Sequence, residues 1–199
     1  MQKECKSKLV VTSALALAAT FLLGLIKISS PWLYGGSVTL FSMVPVIMIS
    51  FKMGAKAGFV LGVNYGILKL ILGTSNFIFL NFKGLLCSVI LDYLLAYGFI
   101  GAASFFRVNR IKNKKFNFYF SIFVAFCLRY LCHFLSGIFV WRALLIQKVS
   151  TTNIMLYSAG YNALYILPEL TITLVGIRFI MFKWPSLFGE GHSKKKKKN

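Results

Sequence analysis

The sequence predicts an all-α integral membrane protein of six transmembrane helices with both termini cytoplasmic. Three observations predict it. Of 199 residues, 58% are hydrophobic and only 14% are charged, where a soluble domain carries about 25% charge. The apolar residues gather into six runs with short polar connections; at roughly 20 residues per crossing these occupy about 120 positions and leave no room for a second, water-soluble domain. The bases, finally, collect on one side of those runs.

The first run, Leu9 to Ile26, follows Lys3, Lys6 and Lys8. Its length and the lack of a small-residue cleavage site favour a retained helix over a signal peptide. Pro31 and Gly35-Gly36 then mark a loop. A second span, Val38 to Phe51, contains Pro45 and is expected to be short, kinked and dependent on its neighbours for freed backbone groups. Lys52 and Lys56 end it. The third covers Ala57 to Leu72, and a polar connection runs from Thr74 to Lys83. The fourth, Gly84 to Phe106, stops at the basic cluster Arg107, Arg110, Lys112, Lys114 and Lys115. The fifth is Phe118 to Val140, and the sixth is Ile154 to Phe182 with Pro168 inside it. The organisation is therefore a basic N-terminal segment 1–8, a six-helix bundle 9–183 and a basic tail 184–199 ending in Lys194 to Lys198.

With both ends inside, the N-terminal lysines, the Lys52/Lys56 turn, the five-base cluster, Lys183 and the lysine tail place sixteen bases on one side. Only Lys27, Lys83, Arg142 and Lys148 fall on the other. The positive-inside rule sets the orientation accordingly. The tail anchors that orientation and attracts anionic inner-leaflet lipid, at about 1 kcal/mol per base.

A formal net charge of +19 raises the question of nucleic acid, but the bases lie in tails and connections, without a basic amphipathic helix or a base-reading module. No nucleic-acid partner is expected. Cys5, Cys87, Cys127 and Cys132 form no CxxC pair, and no histidine stands at zinc-finger spacing from them. Neither a disulfide framework nor a metal site is expected.

Ionisable residues inside spans are costly, so each calls for a partner or a function. Lys69, Asp92, Arg129, His133, Glu169 and Arg178 qualify. At about 1.5 Å per residue, Asp92 lies about 12 Å from the outer start of its span and His133 about 10 Å from the outer end of its own. Tyr157 and Asn162 enter the sixth span from outside at comparable or shallower depth, and Trp141 stands at the outer interface. Singly, Trp141 and Tyr157 read as interfacial belt residues, and Asn162 as interhelical glue. Their common level, shared with an acid that costs about 2.5–3.5 kcal/mol to insert, reads instead as a pocket open to the outside. Arg129 shares a helix face with His133 and neutralises either Asp92 or Glu169; buried charges need such partners. Lys69 and Arg178 are expected to snorkel to the interfaces. A carboxylate, an imidazole, an amide and aromatic faces suit a flat, nitrogen-bearing, cationic heterocycle.

The stretches Leu91-Asp92-Tyr93-Leu94, Arg129-Tyr130-Leu131-Cys132-His133 continuing to Trp141, and Tyr157-Ser158-Ala159-Gly160-Tyr161-Asn162 resemble the thiamine-specific substrate-binding subunits (S-components) of the energy-coupling-factor (ECF) vitamin transporters. The similarity extends from about Leu9 to about Phe182. The resemblance implies a six-helix protein of the cell membrane that takes up thiamine from outside, is not an enzyme and needs no cofactor. It implies an acid at Asp92 for the aminopyrimidine and the thiazolium charge, Tyr93 lining the cleft, His133 and Trp141 contacting or stacking on the ligand, and Tyr157 and Asn162 hydrogen-bonding it. Ala14 and Ala18 match the family's alanine motif, which packs against a transmembrane coupling subunit driven by two ATPase subunits. The sequence also departs from the family. Aspartate stands where glutamate is usual, the tryptophan of the first outer loop falls near Gly36 and leaves Trp32 or Tyr34 to substitute, and the loop from Gly73 to Lys83 is longer. An S-component for another vitamin or a pyrimidine precursor is the alternative, and beyond it a membrane-embedded enzyme with Asp92 and His133 as acid and base.

Overall fold

In a computed structural model, the chain is described over residues 2–29, 36–73, 77, 80–142 and 153–183. Six helical rods account for most of it. Helix α1 (Gln2–Leu25) is followed by a two-stranded hairpin, β1 (Lys27–Ser29) and β2 (Ser37–Thr39), then by α2 (Met43–Met53) and α3 (Ala55–Leu72). The rod α4 (Phe82–Gly101) is α-helical at both ends and π-helical over Val89–Leu95, and a 3₁₀ turn, Ala103–Phe106, follows it. Helices α5 (Lys114–Phe139) and α6 (Ile154–Lys183) complete the bundle. Five of the six are long and apolar enough to cross a bilayer; α2, with 11 residues, is the exception.

The shortness of α2 has a local cause. The stretch expected to form one span from Val38 begins as strand: β-branched Ile28, Val38 and Thr39 suit a pleated pair, and β1 and β2 align antiparallel with Ile28 opposite Val38. Phe41, at φ 58°, turns the chain through the left-handed region before the helix begins, and its ring lies against Gly176 of α6, where even a Cβ would come within 2.5 Å. Pro45 does not kink α2. It sits in the first turn, where a backbone N–H has no intrahelical acceptor to lose. At about 1.5 Å per residue α2 is roughly 16 Å long, about half a hydrocarbon core. It is apolar all round and therefore central: Met43, Val44, Val46, Ile47 and Ile49 are all buried.

A seam of glycines fixes the rod that carries Asp92. Gly58, Gly62 and Gly66 recur every fourth residue along one face of α3, against Gly101, Tyr97 and Tyr93 of α4. A Cβ at these glycines would lie 2.1, 2.2 and 2.3 Å from the carbonyl oxygens of Gly101, Tyr97 and Tyr93 respectively. Backbone therefore packs on backbone, the close approach that small-xxx-small spacing permits. The last of these contacts falls on the π segment itself.

The basic N-terminal segment forms the first turns of α1. The tail 184–199, the loop residues Trp32 and Tyr34, and Lys148 lie outside the described residues. Lys69 does not run out to water: its Nζ donates to the carbonyl of Gly24 at 3.2 Å, satisfying one of the oxygens a helix C-terminus leaves unpaired. Arg178 is exposed.

Candidate functional site

Asp92 lies in the middle of the π segment, the kind of widened turn that proteins frequently place at functional sites. Its carboxylate gathers donors from two helices and the chain just beyond them. Oδ1 meets His133 Nδ1 at 2.9 Å. Oδ2 accepts from Ser136 Oγ at 2.5 Å, Ser88 Oγ at 2.8 Å and Trp141 Nε1 at 3.2 Å. Asp92 and His133 are mostly buried, with side chains 14% and 12% exposed, and among the described residues His133 Nε2 is buried without a hydrogen-bond partner.

Helix α6 contributes aromatic faces. Tyr157, Tyr161 and Tyr165 recur every fourth residue; the first two rings stack at 6.0 Å and the last two meet edge to face at 5.7 Å. Tyr165 also meets the His133 ring edge-on at 5.9 Å. Its hydroxyl donates to Asn162 Oδ1 at 2.6 Å, and Asn162 Nδ2 donates to the Ser158 carbonyl at 2.8 Å. Gly36, at the foot of β2, covers this row: a Cβ there would stand 2.9 Å from the Tyr165 ring. The hairpin thus lies directly over the tyrosines.

One helical turn from His133, Arg129 points to a different acid. Its Nη1 lies 2.7 Å from Glu169 Oε2, with the two side chains 3% and 1% exposed. The contact is an ion pair enclosed by the protein. Thr39 donates to the other oxygen of Glu169 and shares a 2.5 Å hydrogen bond with Ser42, while the guanidinium lies over the Tyr97 ring at 4.8 Å. Of the two acids open to Arg129, it takes Glu169.

The fold therefore brings together Asp92, His133, Trp141 and, through Tyr161 and Tyr165, Tyr157 and Asn162. Tyr93 points elsewhere: its ring meets Phe77 edge-on at 5.9 Å, and its hydroxyl lies 3.1 Å from where a Cβ on Gly73 would stand. Ala14 and Ala18 lie exposed on α1 between the exposed Val11, Leu15 and Leu22. Sequence reasoning passed over Ser88, Ser136, Tyr161 and Tyr165. The tyrosines were visible as a four-residue repeat with Tyr157, and Ser136 as the residue three beyond His133 on the same face. Among the described residues no three His, Cys, Asp or Glu cluster as a metal site would require.

A family model described as "Thiamine transporter protein (Thia_YuaJ)" matches residues 10–189. The thiamine transporter ThiT of Bacillus subtilis (strain 168) is 28% identical over 161 residues, 77% of this chain and 79% of that protein. Among solved structures, ThiT from Listeria monocytogenes superposes with a TM-score of 0.69 over 92% of this chain and 98% of that one, at 21% identity. The S component of a bacterial ECF transporter does so with a TM-score of 0.59 over 90% and 99%, also at 21% identity.

Proposed function

This chain belongs to the thiamine transporter protein family, and from that premise we propose that it captures thiamine from the outer side of the cell membrane at the Asp92 cluster. The chain is a multi-pass membrane protein of a transporter family with the S-component fold. The reading of Asp92 and His133 as the acid and base of an enzyme gives way to that membership.

One observation carries the choice of site: the carboxylate of Asp92 sits in an aromatic-lined layer with His133 as its only ionisable partner within ion-pair distance among the described residues. The nearby guanidinium is committed to Glu169. A carboxylate without a fixed cation, beside ring faces, suits a ligand that is itself an aromatic cation. Thiamine offers a thiazolium charge and an aminopyrimidine donor. In this site Asp92 accepts from the aminopyrimidine, His133 uses its unpartnered Nε2, and the tyrosine row supplies stacking surface. The indole N–H of Trp141, the longest of the three bonds to Oδ2, is the one released so that the ring can stack on the ligand. Asn162 meets the ligand by exchanging one of its internal bonds, and Tyr157 stands at the outer edge.

The exposed Ala14/Ala18 face of α1 supports docking to a transmembrane coupling subunit with two ATPase subunits, since small residues permit close helix approach. The side on which the bases collect supports an outward-facing site.

The test is titration of the detergent-purified chain with thiamine while following tryptophan emission. Quenching is expected, and its loss in Trp141→Ala is expected to follow. A response to riboflavin or pyridoxine but none to thiamine would keep the transporter class and reject the substrate.

A further inference from the structure

Hydroxyls inside helices ordinarily donate back to a carbonyl of their own helix. Thr20, Ser121 and Thr171 do so, to Ala16, Phe118 and Leu167, at 2.8, 2.8 and 3.0 Å. Ser88 and Ser136 do not. Both are fully buried, they stand on different helices, and each gives its only proton to the same atom, Asp92 Oδ2. We propose that Ser88 and Ser136 are positioning residues that pin Oδ2 and so leave Oδ1 alone to read a donor on the ligand; the role as a thiamine reader rests on the function proposed above.

Each carboxylate oxygen has about two acceptor sites. Oδ2 already serves two hydroxyls and an indole, whereas among the described residues Oδ1 serves only His133 and keeps a site open. Turning the carboxylate about its Cβ–Cγ bond would exchange the two oxygens. A single hydroxyl can follow such a turn, but two hydroxyls held on separate helices, α4 and α5, oppose it. The pinning also fixes the hydroxyls themselves. With both protons committed to Oδ2, neither serine can reorient to serve a carbonyl on the ligand. The site therefore accepts an amino group and refuses an acceptor at the same place, a discrimination that rests on leaving a buried polar atom unpaired.

Thiamine and oxythiamine, which carries a carbonyl in place of the amino group, are the paired probes. Tryptophan emission of the full chain is titrated with each for the wild type, Ser88→Ala, Ser136→Ala, the double variant and the near-isosteric Ser136→Cys. Each alanine is expected to weaken thiamine about tenfold, the size of a hydrogen bond to a charged group, and oxythiamine far less, so that the preference narrows and collapses in the double variant; Ser136→Cys falls between. Asp92 is the only aspartate in the chain, so aspartate labelled with ¹³C at the side-chain carboxyl gives a single carbon resonance, which is expected to move in every ligand-free variant. Equal losses for the two ligands, unchanged thiamine affinity, or an unmoved resonance would overturn the pinning. A wild type that ignores thiamine while the resonance still moves in both variants would refute the substrate and leave the pinning standing.

Discussion

Asp92 and Glu169 are both acids buried within the helical bundle, yet they keep opposite company. Glu169 is matched by a fixed guanidinium and a threonine hydroxyl, and is almost fully enclosed. Asp92 is surrounded by two serines, an indole and an imidazole whose far nitrogen is unused. The first arrangement is neutralised within the protein, charge against charge, and ties α5, α6 and the end of the hairpin together. The second satisfies the hydrogen-bonding demand of a carboxylate while leaving its charge without a permanent opposite. Among these buried acids, the one matched by a guanidinium reads as framework, and the one held by hydroxyls, an indole and an imidazole is the one proposed above to receive a cation.

The largest effect that would break this contrast is expected in Arg129→Met. Removing one member of a buried ion pair strands the other and costs about 3–5 kcal/mol, read as a steep fall in the unfolding temperature of the purified chain. Arg129→Met with Glu169→Gln should recover much of that loss. If the single substitution left stability unchanged, Glu169 would not be the framework acid.

Asp92→Asn should do the reverse. The amide keeps the volume, so the unfolding temperature should shift little. Thiamine affinity should fall about 100-fold, the upper range for losing a charged hydrogen-bond partner. Equal damage to stability and binding would erase the distinction between the two acids. The smallest effect is expected in Thr39→Val, which removes one donor to Glu169 and leaves the ion pair. About 1.5 kcal/mol of stability is expected to go, the lower range for a hydrogen bond to a charged group, with thiamine affinity nearly unchanged.

Much of this contrast can be read from the order of residues alone. The long spans follow from uninterrupted apolar runs, and the meeting of Asp92 with His133 and Trp141 from counting rise per residue inward from the loops. The partner of Arg129 does not follow, because two acids lay within conceivable reach and only the packing of α5 on α6 selects one. The hairpin was hidden because Lys27–Ser29 and Ser37–Thr39 are too short to show alternation and border runs that read as helix. The π segment was hidden for another reason: Val89–Leu95 has the composition of any apolar helix, and its widened turn depends on which carbonyl each amide chooses. Pro45 misled by position, since a proline near a helix start and one in its interior look alike until the first turn is located.

The carbonyl-on-glycine seam makes α3 a ruler. In a library of every single substitution along this helix, intolerance should fall on Gly58, Gly62 and Gly66 with a four-residue beat, and even alanine should be refused there. Between the marks, Val60 and Ile67 face outward and should exchange freely among apolar residues. The phase of that beat would report, without any coordinates, which edge of α3 the rod bearing Asp92 leans upon.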